Sequence, residues 1–302
     1  MISELSILIP VYNAVCTAIV KQIAMQCEQA KETGTLQRYE IVVADDGSTD
    51  TATIEQNRQL SAIDHCRFIE KRQNSGSAAT RNFLACESRY EWLLFLDADM
   101  QIADNSFISR YLTCETEADV VNGGIAIGEC TEGEQNLRYR YEKHEEPNHT
   151  AAKRQLRPYR AFRSTNFMIR RSVMLGCPFD ERFLKSGYED VLFGKHLWQR
   201  HISVQHIDNP TVMNDFENNP DFVAKTERSL QTLHRFRDDL QGFSRLLTLT
   251  EGIHIGLVKS IICFGHQLFG WIERRNLCSR HPSLRVYSIY KLGYYLSLTK
   301  SN

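Results

Sequence analysis

The chain has 302 residues, 42% of them hydrophobic and 24% charged, enough to bury a large core and too apolar for a disordered tail. Its formal net charge of −1 provides no overall field to recruit nucleic acid, so no nucleic-acid partner is expected. Nine cysteines, odd in number and without a Cys-x-x-Cys pair, argue against a disulfide framework or zinc site and for a reducing, cytoplasmic setting.

In chain order, Met1 to Glu4 lacks the basic and apolar segments of a signal peptide. Leu5 to Pro10 then reads as a short apolar strand, followed by a helical pattern from about Val15 to Lys31. Tyr39 to Ala44 is a second buried strand that runs into Asp45-Asp46-Gly47-Ser48-Thr49-Asp50, where Ser48 to Asp50 can cap the next helix. Cys66 to Glu70 is a weaker third strand, leading through Asn74-Ser75-Gly76 into a helix that carries Arg81. Trp92 to Leu96 is the fourth. Strands alternating with helices predict an α/β fold with a mostly parallel, doubly wound sheet. Beyond it, Asp119 to Gly124 and Thr165 to Ile169 read as strands, separated by a charged stretch from Glu129 to Arg160 that reads as a long loop. Ile202 to Ile207 is a late strand, and Asp221 to Leu240 a charged amphipathic helix.

The chemistry gathers where strands end. Asp97-Ala98-Asp99 directly follows the fourth strand, and a doubly wound sheet opens its ligand crevice at that edge. Two such carboxylates can share a divalent cation, Mg²⁺ or Mn²⁺, with a diphosphate. If the strands are parallel, Asp45 and Asp46 reach the same edge, and four clustered carboxylates are costly unless a cation or donor groups neutralise them. Helix capping is the plain alternative for Asp45 and Asp46, and also for Glu189-Asp190 at the start of a later helix. Arg81 could likewise be a surface helix residue.

The motifs Ser6-Ile7-Leu8-Ile9-Pro10-Val11-Tyr12-Asn13, Asp45 to Asp50, Asn74-Ser75-Gly76 with Thr80-Arg81-Asn82, Asp97-Ala98-Asp99 and Glu189-Asp190 stand together in one order. In that order the chain resembles a family 2 glycosyltransferase of the GT-A fold, over roughly residues 3 to 215. The resemblance implies a donor site in which Asp45 accepts from a uracil-like base, with Asp46 beside it. Pro10, Tyr12 and Asn13 would line the nucleotide cleft, and Asn74, Gly76 and Arg81 would lie near base and phosphates. Asp97 would hold the ribose and Asp99 the metal. Asp190 would be the base that deprotonates an acceptor hydroxyl, with Glu189 binding the acceptor. Phe179 to Phe183 and Ser186-Gly187-Tyr188 would form the acceptor-side loop. Relatives often place a metal-binding His after a late Asn-Pro pair, whereas here Asn209-Pro210 leads to Met213. His206, just upstream, is the candidate substitute, though a lone His at a strand end is more often structural.

The implied organisation is a catalytic unit over 1–218, with a nucleotide half 1–100 and an acceptor half 101–218, and a helical extension over 219–302. The implied partners are a UDP-sugar donor and a glycan or lipid-linked acceptor, in bacterial envelope polysaccharide synthesis. Residues 242–302 carry 8 basic and 2 acidic side chains, 8 − 2 = +6, leaving −1 − 6 = −7 for the rest. Within them, residues 253–298 suit either contact with an anionic membrane, at the inner face of the cell membrane, or packing on protein. Oligomeric state is not legible. Three rival readings stay open. A dinucleotide oxidoreductase lacks its Gly-x-Gly-x-x-Gly after strand one. A non-catalytic nucleotide-sugar binder would show no turnover, and a nucleotidyltransferase would release pyrophosphate.

Overall fold

A computed structural model describes residues 2–184, 187–253 and 256–300. Ser186 and His254, both within segments read above, lie outside the described residues. Among the described residues there are ten strands: β1 Glu4–Val11, β2 Arg38–Asp45, β3 Cys66–Glu70, β4 Trp92–Leu96, β5 Gln101–Ile102, β6 Val120–Asn122, β7 Ile125–Ile127, β8 Asn166–Arg170, β9 Val204–His206 and β10 Thr211–Met213. Seven form the main sheet in the order β3-β2-β1-β4-β8-β6-β9. The first four are mutually parallel, β8 runs antiparallel to both β4 and β6, and β9 is parallel to β6. The sheet is therefore mostly parallel, with one reversed strand in its middle.

β1, β2 and β4 are near-continuous apolar runs because both faces of the sheet are covered. Alternate residues serve opposite layers. Ile7 and Ile9 pack with Val20, Ile23, Phe107 and Tyr111, whereas Leu8 packs with Phe95, Phe167 and Phe193 on the other side. Phe95 and Phe167 stack across the β4–β8 pair at 4.9 Å between ring centres.

Register fixes the crevice. Val11 pairs with Asp45, and Leu8 with Phe95, so the residues following β2 and β4 emerge at one edge of the sheet. β5, β7 and β10 form a small second sheet, and the β5–β10 pairing brings the stretch after Asp99 alongside Val212. The polar stretch expected as a long loop instead contains the helices Leu137–Glu145 and Ala151–Gln155. Each starts with a side-chain cap, Asn136 accepting from Tyr139 N and Thr150 accepting from Lys153 N.

From Asn219 onward the regular elements among the described residues are all helices. The helix Asn219–Arg235 opens on an Asn218 cap followed by Pro220, and buries Phe222, Val223, Leu230 and Leu233. Leu230 and Leu233 join Phe183, Leu192, Leu247 and Tyr295 in one cluster, and Phe222 and Val223 join Leu137, Leu277 and Tyr287 in another. The carboxy-terminal helices thus pack on the helices Leu137–Glu145 and Glu189–Gln199 and on the loop around Phe183.

Gly47 shows how closely the edge is built. Its φ is +69°, and a Cβ there would lie 2.6 Å from the Gln73 carbonyl carbon and 2.7 Å from Asn74 N. Gly47→Ala is expected to cost roughly 1–3 kcal/mol through backbone strain, more if the facing turn cannot shift. Urea unfolding of the variant against the parent chain measures it, and an unchanged midpoint would refute it.

Candidate active site

Three loops leave the same sheet edge and interlock. After β2, the buried Asp45 carboxylate accepts from Ser48 N at 3.2 Å and from the Ser48 hydroxyl. Asn13 adopts φ 49°, which places its Oδ1 to accept from Thr49 N at 2.8 Å and Asp50 N at 3.1 Å. Asn13 thereby ties the end of β1 to the Asp-rich turn, and Pro10 ends beside it with Tyr12 exposed. Asp50 caps the next helix by accepting from Thr53 N.

Asp46 points elsewhere. Its carboxylate accepts from Lys71 Nζ at 2.6 Å, Ser75 N at 3.0 Å and Gly76 N at 2.8 Å. Burial alone would raise this carboxyl, but those donors together hold it below its ordinary range. Asp46 thus anchors the Asn74–Gly76 turn, and Asn74 closes it by accepting from Gly76 N at 3.2 Å. The stability it confers is complete above the ordinary carboxylate range and is lost as pH falls through its lowered value. Lys71, which also donates to Thr80 Oγ1 at 2.8 Å, went unread in the sequence. Its signal was position: it follows β3 at the same sheet edge as the other site residues.

Gly76 has φ +88°, and a Cβ there would meet the Leu184 and Phe183 carbonyl oxygens at 3.0 and 3.2 Å. The Asn74–Gly76 turn therefore abuts the loop through Phe183 and Leu184 backbone to backbone. Asn82 fastens that loop, donating to Phe179 O and accepting from Phe179 N, both at 2.9 Å.

Arg81 joins the two sides. It is buried, donates from Nη2 to Asp97 Oδ1 at 2.6 Å, and holds Nη1 4.0 Å from Glu189 Oε1. Its guanidinium lies 5.6 Å from the centre of the Phe179 ring. Nε and Nη1 are buried without a hydrogen-bond partner. Such orphaned buried donors are uncommon in folded proteins. The surface-residue reading of Arg81 is excluded.

Glu189 and Asp190 open the helix Glu189–Gln199, preceded by two left-handed residues, Gly187 at φ 116° and Tyr188 at φ 69°. A tyrosine in that region is strained, and packing of Tyr188 and Val191 against the cluster around Leu192 and Tyr295 holds it there. Glu189 accepts from Gly187 N at 2.9 Å and from Ser77 Oγ at 3.4 Å. Asp190 accepts from Val191 N at 2.8 Å. Burial first, and then the like charge of Glu189, push its carboxyl up to about 6, against weaker pulls from Arg163 and Arg81. A carboxylate so raised suits proton abstraction near neutral pH.

Asp99 opens to solvent at the crevice mouth, although protein surrounds most of it. That desolvation, and then Asp97, raise its carboxyl. Among the described residues no cluster of three or more His, Cys, Asp or Glu is arranged to hold a metal ion. Mg²⁺ and Mn²⁺ shared with a diphosphate need only one or two protein carboxylates, so the crowded pair Asp97 and Asp99 fits that kind of group. His206 does not. It is buried, with Nδ1 2.7 Å from Arg154 Nη1 and Nε2 2.9 Å from Pro158 O, and its pKa is lowered to about 4, first by burial. Both ring nitrogens are committed to structure, so His206 is withdrawn as a metal ligand.

Residues 6–176, more than half of the chain, match the sequence profile described as Glycosyl transferase family 2. The chain belongs to that family. Curated relatives include a poly(ribitol-phosphate) beta-glucosyltransferase of Bacillus spizizenii, 29% identical over 126 residues, 40% of this chain and 19% of that protein. A teichoic acid poly(glycerol phosphate) polymerase of Staphylococcus epidermidis is 29% identical over 111 residues, 36% of this chain and 14% of that protein. The matched stretch thus spans less than a fifth of either relative. Among solved structures, S. aureus TarS 1–349 superposes with a TM-score of 0.53 at 17% identity, covering 99% of this chain and 92% of that one. A Pyrobaculum calidifontis mannosyltransferase, solved with GDP-Man and Mn²⁺, gives 0.51 at 11% identity, covering 98% and 86%. The fold shared with these glycosyltransferases is GT-A, with a helical carboxy-terminal region, as the resemblance implied.

Proposed function

We propose that this family member is an inverting glycosyltransferase that moves a sugar from a UDP-sugar to a hydroxyl of a glycan or lipid-linked acceptor in envelope polymer synthesis, at the cytoplasmic face of the membrane. The observation that carries the reading is the pairing of a raised, half-buried Asp190 with Glu189, which the Arg81 guanidinium links to Asp97 across the crevice. The donor assignment is supported by TarS, solved in complex with UDP-GlcNAc, and the acceptor class by the relatives' polymer names. In this scheme Asp45 and the Pro10–Asn13 segment receive the nucleotide, and Asn74 and Gly76 border it on a turn held in place by Asp46.

Asp190 accepts the proton of the acceptor hydroxyl as that oxygen bonds to the anomeric carbon. The bond from that carbon to the diphosphate breaks on the opposite face, which inverts the centre. Glu189 orients the acceptor, and Arg81 keeps the adjoining carboxylates from repelling one another. Asp99, with Asp97 beside it, would hold a divalent cation whose chemistry is to neutralise the departing diphosphate.

A UDP-release assay over a donor panel, with Mn²⁺ or with a chelator, tests the reading. UDP release that depends on donor and acceptor is expected, with Asp99→Asn losing the Mn²⁺-dependent part of UDP affinity. Donor binding without release would make the protein a nucleotide-sugar binder, and pyrophosphate release a nucleotidyltransferase.

A further inference from the structure

The helix Gly256–Leu277 leaves an apolar face open. Leu257, Ile261, Phe264, Leu268, Trp271 and Ile272 are all 46% or more exposed, and at 100° per residue they fall within roughly 100° of arc. The opposite face is occupied. Cys263 and Leu277 are buried, and His266 packs edge-on to Tyr290 of the helix Leu284–Lys300 while it bonds Glu273 at 2.7 Å. A continuous apolar stripe of this size on a folded protein marks a contact surface.

Charge selects the occupant. The stripe ends at the exposed Arg275, and the following turn and helix add exposed Arg280 and Arg285, with Arg274 shared with Glu227. Of the two acidic residues in 242–302, Glu273 is bonded to His266, so the end of the stripe is cationic. Two copies meeting through this face would bring two tails of +6 together, and the positions flanking the stripe carry no acidic residues to pair with them. No helix among the described residues is long and apolar enough to cross a bilayer.

We propose that this face is a docking surface for an anionic lipid bilayer. The Gly256–Leu277 helix lies in the headgroup plane with Phe264, Leu268 and Trp271 immersed and Arg275, Arg280 and Arg285 on the phosphates. The remaining −7 of the chain turns the body away from the lipid. This inference deepens the membrane location in the proposed function, and its failure is distinguishable from failure of the transferase reading because its test measures lipid binding and not turnover.

The test is co-sedimentation of the full chain with vesicles of equal parts phosphatidylglycerol and phosphatidylcholine, against phosphatidylcholine alone. Binding to the anionic vesicles and its loss in high salt are expected. Phe264→Ser with Trp271→Ser, and separately Arg275→Glu with Arg280→Glu and Arg285→Glu, should each weaken it by about tenfold or more. Both variants alter exposed side chains, and an unchanged thermal melt and UDP affinity certify that they fold. Equal binding to neutral vesicles, or none to either kind, overturns the proposal. So does a concentration-dependent dimer that Phe264→Ser dissolves, which would assign the face to a second copy.

Discussion

Asp190→Asn is expected to cut transfer by roughly 10²- to 10⁴-fold, the usual weight of a general base, while UDP-sugar affinity stays near that of the parent chain. The parent's kcat/KM should fall as pH drops through about 6, because the base acts only when deprotonated. An ordinary aspartate would place that limb near ~4. Glu189→Gln removes the neighbouring like charge and should move the limb to lower pH, a shift that a merely structural Glu189 would not produce. Stability runs the other way. The folded chain holds the Asp190 proton more tightly than the unfolded chain, so ionisation destabilises the fold as pH rises from the ordinary carboxylate range through about 6. Asp190→Asn should therefore melt higher than the parent above that window, and the gain should vanish below it. Full transfer activity in the variant would remove Asp190 from the chemistry.

Arg81→Met is expected to lose roughly 3–5 kcal/mol of stability, the range for removing one partner of a buried ion pair. Asp97 keeps some access to water, with 27% of its side chain exposed, which places the expectation at the lower end. The cost arises because Asp97 and Glu189 lose their shared cation while Asp99 and Asp190 stay close by. Arg81→Lys keeps the charge but not the planar fork that reaches toward both carboxylates, so it should recover only part of the loss. Denaturant unfolding gives the stability, and UDP release at saturating donor gives the activity. A change under about 1 kcal/mol would show that the bridge contributes little.

The first half of the fold was legible because its strands are buried on both faces. Cys66–Glu70 and Trp92–Leu96 match the observed bounds, and the first two strands each extend one residue further at both ends. The direction of β8 was not legible, since an apolar run such as Asn166–Arg170 reads the same whichever way it crosses the sheet. The helix Leu137–Glu145 was hidden by its own composition, Leu-Arg-Tyr-Arg-Tyr-Glu-Lys-His-Glu, which buries only Leu137. β5, β7 and β10 are two or three residues long, too short for any alternation to show.

At the site, sequence spacing brought the right motifs to one edge but could not say which carboxylate holds protein and which faces the crevice. Asp45 and Asp46 are adjacent and identical in type, yet Asp46 is engaged by Lys71, Ser75 and Gly76, three contacts made across 25 to 30 residues of chain. His206 failed for a related reason. Nothing around it in the sequence announced that Arg154, far upstream, would take its Nδ1.

Tyr188 holds its strained conformation in one cluster with Leu246, Tyr294 and Tyr295, the last two more than a hundred residues after the sequence motif it precedes. A chain emerging from the ribosome would thus display every signature residue well before the carboxylate-bearing turn could settle. The base proposed at Asp190 would therefore be seated only after the helix Leu284–Lys300 has folded back onto that cluster.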